Sequence, residues 1–123
     1  MKITEAKAHY ATIFMAGDID MAKHQCAHYC RDMGLCVTVT ATEFIYTGGR
    51  ETGFAIGLVN YPRFPAEPEN IDRRATELAT WMIREMAQDS ALIQTPDTVV
   101  WITRREEPET SVSEKEQEAP GKP

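Results

Sequence analysis

The chain has 123 residues with 19 Asp and Glu against 13 Lys and Arg, a net charge of −6. That length supports one hydrophobic core, and the acidic balance argues against the basic surface that non-specific nucleic-acid binding requires. No stretch approaches the ~20 apolar residues of a membrane-spanning helix, and the polar first ten residues lack the apolar core of a secretory leader.

Charge is unevenly spread. Residues 106–123 hold six Glu, two Lys and three Pro, with Val112 as the sole branched aliphatic and no aromatic. Such a segment buries too little apolar surface to offset its ordering entropy and is expected to be a disordered acidic tail. The remaining chain, with 13 acids and 11 bases, is close to neutral. Residues 1–9 read as a lead-in and 10–105 as one α+β domain. Three cysteines, Cys26, Cys30 and Cys36, are an odd number, which suits free thiols in a reducing compartment and a cytoplasmic protein.

In chain order, residues 10–16 are rich in strand formers and stop at Gly17, giving a first strand. Asp18 then offers an N-cap, and Asp20 places an acid in the first turn of a helix. Apolar side chains at Ile19, Ala22, Cys26, Tyr29, Cys30 and Met33 recur at helical spacing, and Gly34 supplies a left-handed stop. The first helix is therefore expected over 19–33.

Residues 35–46 alternate, with Leu35, Val37, Val39 and Ala41 on one side and Cys36, Thr38, Thr40 and Thr42 on the other. This period of two marks a strand with one buried face. Residues 47–50 have turn chemistry, and 54–61 return as a strand, where Gly53 and Gly57 imply a bulge or a close backbone approach. Prolines rule out a helix or central strand over 61–68. Ile71, Ala75, Leu78, Ala79, Met82, Ile83 and Met86 form a second helical stripe, expected over 69–87. Residues 98–103 read as a strand, and 91–95 as a short additional one joined to it through a Pro96–Asp97 turn.

The order β-α-β-β-α-β implies a ferredoxin-like domain: an antiparallel four-stranded sheet, or five with 91–95, and two helices on one face. Right-handed crossovers give the strand order 4-1-3-2. This arrangement is expected to bring residues 61–68 to the same end of the domain as Arg104 and Arg105, and to leave one sheet face open. Ala11, Ile13 and Met15 would face the helices, with Tyr10, Thr12, Phe14, Thr38, Thr40 and Trp101 outward.

No catalytic residue set emerges. His24 and His28 share a helix face, but Cys26 and Cys30 lie about 160–200° around the helix from them, so the four cannot close a zinc site. A divalent-metal site on this helix remains as an alternative, built from Asp20, His24 and His28 with Asp32 continuing the row, and it lacks a third strong ligand from elsewhere. The glycines after Thr47 sit in a strand–strand turn and open no helix, so they make no phosphate loop. No Ser has a credible base, and Cys36 has no histidine near it in sequence. The leading expectation is a non-catalytic interaction module that binds another protein or forms a homodimer. Its surface would be Thr38, Thr40 and Trp101 on the open face, plus Tyr61, Arg63 and Phe64 on the proline-stiffened loop. The alternative is a small-molecule-binding protein or enzyme using the sheet face or a dimer cleft. No cofactor is implied.

Overall fold

A computed structural model describes residues 1–105. The expected tail, 106–123, lies outside the described residues.

The β-α-β-β-α-β order holds, with a fifth strand. β1 (Tyr10–Ala16), α1 (Ile19–Met33), β2 (Thr38–Tyr46), β3 (Gly49–Val59), α2 (Pro68–Glu85), β4 (Ser90–Gln94) and β5 (Val99–Thr103) follow in turn. One antiparallel sheet has the order β2-β3-β1-β4-β5, with the two helices covering one face, a ferredoxin-like α+β fold extended by an edge hairpin.

Local chemistry sets the helix limits. The Asp18 carboxylate accepts a hydrogen bond from the Met21 N–H at 2.9 Å, and Gly34, at φ 73°, donates its N–H to the Cys30 carbonyl, so α1 has both expected ends. Pro68 opens α2, where its missing N–H costs nothing. α2 closes in a Schellman arrangement: Gln88 N–H donates to the Ile83 carbonyl at 2.9 Å, with Ala87 held at φ 53° where glycine is usual.

The core forms between sheet and helices. Ala11, Ile13 and Met15 of β1 meet Phe54, Ile56 and Leu58 of β3, with Ala91 and Ile93 of β4 beside them. Ala22, Cys26 and Tyr29 of α1 and Ile71, Ala75, Leu78, Ala79, Met82 and Ile83 of α2 close over them. At the end of α1's stripe Met33 is exposed.

Four expectations need correction. The strand beside β1 is Ser90–Gln94, and Val99–Thr103 is the edge. This extra reversal of chain direction carries Arg104 to the end of the sheet that holds Asp89, whose carbonyl accepts the Arg104 N–H at 2.8 Å. Arg104 and Arg105 therefore do not join the 61–68 loop. β2 begins at Thr38, because residues 35–37 leave the helix cap as a connection. β3 begins at Gly49, and its register against β2 runs unbroken through Gly53 and Gly57, so these glycines mark close approach and no bulge. A Cβ at Gly53 would strike the Met15 carbonyl oxygen and lie 2.5 Å from the Phe44 ring, and one at Gly57 would lie 2.5 Å from Thr38 Oγ1.

Candidate functional site

The open sheet face is ordered by register. Residues directly opposite on paired strands point the same way, so one row crosses the sheet as Thr40, Ala55, Phe14, Leu92 and Trp101. A second runs Thr38, Gly57, Thr12, Gln94 and Val99. Beyond them lie Thr42 with Gly53, and Phe44 with Glu51.

This face has a relief that follows from side-chain size. Gly53, Ala55 and Gly57 make β3 its low line. Phe44 lies over Gly53 and the Thr38 hydroxyl over Gly57, while Phe14 rises beside Ala55. The Phe44 ring and the Thr38 hydroxyl thus cover two of the three small residues of β3. Among the described residues on this face, Glu51 is the single carboxylate and neither Lys nor Arg is present. Glu51 Oε2 is buried.

The site residues expected from sequence fall into two groups. Thr38, Thr40 and Trp101 all lie on the open face, but Thr40 and Trp101 sit on opposite edge strands, about 19 Å apart at ordinary strand spacing. Tyr61 and Phe64 do meet, with ring centroids 5.7 Å apart, while Arg63 is exposed beside them. Thr38 opens β2 at the same end of the sheet as this loop. Two residues before it, the Cys36 thiol donates to the Tyr61 hydroxyl at 3.2 Å. That hydrogen bond, then the nearby thiol's charge, pushes the Tyr61 phenol above its ordinary pKa. The pocket behind this pair, lined by Gly34, Asn60, Phe64 and Arg74, holds about 40 Å³. It is far below the ~300 Å³ at which small-molecule sites begin.

The helical side offers a roomier groove of about 460 Å³ between α1 and α2, with Tyr29 and Trp81 in its wall. Their rings pack at 5.0 Å. Burial, then Glu77 and Cys30, raises the Tyr29 phenol. Its acids already have partners: Glu77 accepts from Arg73 at 2.6 Å, and Asp32 lies 3.7 Å from both Arg31 and His28. His28 is engaged in turn by Arg31 at 2.7 Å. Among the described residues no three His, Cys, Asp or Glu side chains converge on a common point.

Sequence reasoning missed Glu51 because the strand was expected to begin beyond Gly53, and Phe44 because the outward row of residues 35–46 was followed only to Thr42. Extending the alternation of β2 through the turn would have shown both. It also missed His9, whose ring lies 2.8 Å from Asp72. No local signal connects these two, which are 63 positions apart.

No family model and no curated protein sequence matches this chain. Its fold is similar to a phage SAM lyase solved in complex with S-methyl-5′-thioadenosine: TM-score 0.66, 15% identity, covering 84% of this chain and 95% of that one. The same enzyme in its apo state matches with TM-score 0.64 and 15% identity over 81% of this chain and 92% of that one. This finding overturns the expectation of a non-catalytic interaction module. The match takes in 95% of that enzyme's chain.

Proposed function

We propose that this chain is a small-molecule enzyme whose substrate is an S-adenosyl sulfonium compound, bound at the open sheet face. The observation that carries this reading is the whole-domain similarity to a SAM lyase, one form of which holds methylthioadenosine. Fold alone does not assign function, so the reading also rests on the residue types of the face. Phe14 and Phe44 offer rings for an adenine to stack on, and Thr38, Thr40 and Thr42 offer hydroxyls to a ribose. Glu51 supplies the charge a sulfonium requires. Methylthioadenosine is what remains of S-adenosylmethionine once the bond from sulfur to the aminobutyrate arm breaks: its electron pair returns to sulfur, and the arm's own carboxylate oxygen bonds the carbon that sulfur leaves, closing a lactone. Glu51 thus favours the charged substrate over the neutral thioether product.

Three free thiols support a cytoplasmic setting for such an enzyme, and no helix among the described residues is long and apolar enough to cross a membrane.

The test is to incubate the purified chain with S-adenosylmethionine and follow methylthioadenosine by reversed-phase chromatography, with calorimetry for binding of each. Release of methylthioadenosine, lost in Glu51→Gln and Phe14→Ala but kept in Trp81→Ala, supports the reading. Loss in Trp81→Ala alone moves the site to the helical groove. Neither binding nor release ends it.

A further inference from the structure

The two edges of the sheet differ in how they are protected. β2 carries Glu43, which takes a bidentate contact from Arg50 at 2.8 and 2.9 Å. β5 has no comparable defence. Between Val99 and Thr103 there is no charge, no proline and no break in register, the devices by which edge strands usually avoid pairing. Val99 is 64% exposed, Val100 41% and Trp101 45%.

The hydrogen-bonding direction of β5 follows from its ends. Thr95 N–H donates to the Thr98 carbonyl at 2.9 Å, and Arg104 N–H to the Asp89 carbonyl at 2.8 Å. Bonded pairs in an antiparallel ladder recur at every second residue. The ladder joining these two pairs therefore passes through Ile93–Val100 and Ala91–Ile102. Val100 and Ile102 direct their backbone groups at β4. Val99, Trp101 and Thr103 direct theirs at the open edge, with their side chains on the open face.

We propose that two copies of this chain pair β5 to β5, antiparallel about a two-fold axis at Trp101, joining their sheets into one. In that register Val99, Trp101 and Thr103 of each copy both donate and accept, Trp101 to its own equivalent and Val99 to Thr103 of the second copy. No outward group between Val99 and Thr103 is left over. Val100 meets Ile102 of the second copy on the helical side, and the two Trp101 rings stand side by side on the open face. The same register sets Asp97 of each copy level with Arg105 of the other, an opposite-charge pair that occurs twice by symmetry. Asp97 and Arg105 are both exposed. A second copy is thus matched to this edge in hydrogen bonding, apolar contact and charge together. The pairing requires nothing of the ligand proposed above.

Sedimentation of the full chain from low to high micromolar concentration tests it. A reversible dimer is expected. Trp101→Lys, which opposes two like charges at the axis, is expected to leave only monomer. Val99→Pro removes an N–H that serves only the outer edge, at a strand's first residue where proline is tolerated, and is expected to raise the dissociation constant at least ~10-fold. Arg105→Asp is expected to weaken the dimer ~5-fold or more, and Asp97→Arg with Arg105→Asp to restore it. Circular dichroism on each variant separates loss of pairing from loss of fold. A monomer at every concentration overturns the proposal, as does a trimer, or a dimer indifferent to Trp101→Lys and Val99→Pro. A double charge reversal that fails to restore the dimer overturns the two-fold register.

Discussion

His9 Nε2 lies 2.8 Å from Asp72 Oδ1, with the His9 side chain 6% exposed and that of Asp72 43% exposed. The contact ties the residue entering β1 to the first turns of α2, and Asn60 N–H donates to the His9 carbonyl at 3.1 Å on the other side. A buried ring nitrogen deprived of its partner loses a charge-assisted hydrogen bond and keeps its desolvation cost. Asp72→Ala is expected to destabilise the fold by about 1.5–3 kcal/mol, and Asp72→Asn, which retains an acceptor, by clearly less. Urea unfolding with an unchanged m-value measures both, and equal losses would show that the carboxylate's charge matters more than its hydrogen bond.

Gly53 and Gly57 lie on the same face of β3 but differ in what a methyl group would strike. At Gly53 the obstacles are the backbone oxygen of Met15 and the Phe44 ring, and at Gly57 the hydroxyl end of Thr38. Backbone cannot yield without shifting β1, whereas a threonine side chain can change rotamer. Gly53→Ala is expected to cost ~2–3 kcal/mol and Gly57→Ala ~1 kcal/mol or less. Thr38→Ala should remove most of the second cost, and thermal or urea denaturation of the three variants checks the order.

Ala87 occupies the left-handed position that closes α2, at φ 53°. A Cβ there is costly, and glycine removes that cost at the expense of a looser unfolded chain. Ala87→Gly is expected to stabilise the protein by about 0.5–1 kcal/mol. At the matching position of α1, Gly34 at φ 73° has open space around it. Gly34→Ala is therefore expected to destabilise by ~1 kcal/mol for conformational reasons alone. Melting temperatures moving in opposite directions would confirm the pair.

The three thiols should separate under alkylation. Cys36 is exposed, Cys30 half-buried and Cys26 buried. Burial, then the neighbouring Cys30, pushes the Cys26 thiol up to about 11. Burial, then Cys36, raises Cys30 as well. Only the thiolate reacts, so iodoacetamide at mildly alkaline pH is expected to label Cys36 first and Cys26 last, read by peptide mass spectrometry. The same shift has a consequence for stability. Between the ordinary thiol value of 9.0 and about 11, the unfolded chain gives up the Cys26 proton while the folded chain keeps it. Raising pH through that window therefore favours unfolding. Cys26→Ala should flatten this part of the pH–stability curve; an unchanged slope would assign it to another group.

Much of this architecture was readable from single residues and their spacing. Asp18 and Gly34 bracket α1 at 19–33, and the alternation from Tyr10 to Ala16 sends Ala11, Ile13 and Met15 inward. Both depend on local backbone geometry: a capping carboxylate reaches only the next turn, and a strand's period is fixed by the pleat. The open face and its threonines followed from the same periodicity.

What only the tertiary structure decided is which segments become neighbours. Two short strands compete for the place beside β1. Ser90–Gln94 takes it because it leaves α2 after four connecting residues and buries Ala91 and Ile93 under the helices, leaving Val99–Thr103 as an exposed edge. The meetings of Cys36 with Tyr61, of His9 with Asp72 and of Phe44 with Gly53 arise in the same way. Periodicity tells each side chain which face to take within its own element. Partners far apart in sequence are chosen by how whole elements bury their apolar surface against one another, and that free energy belongs to the assembled sheet and helices.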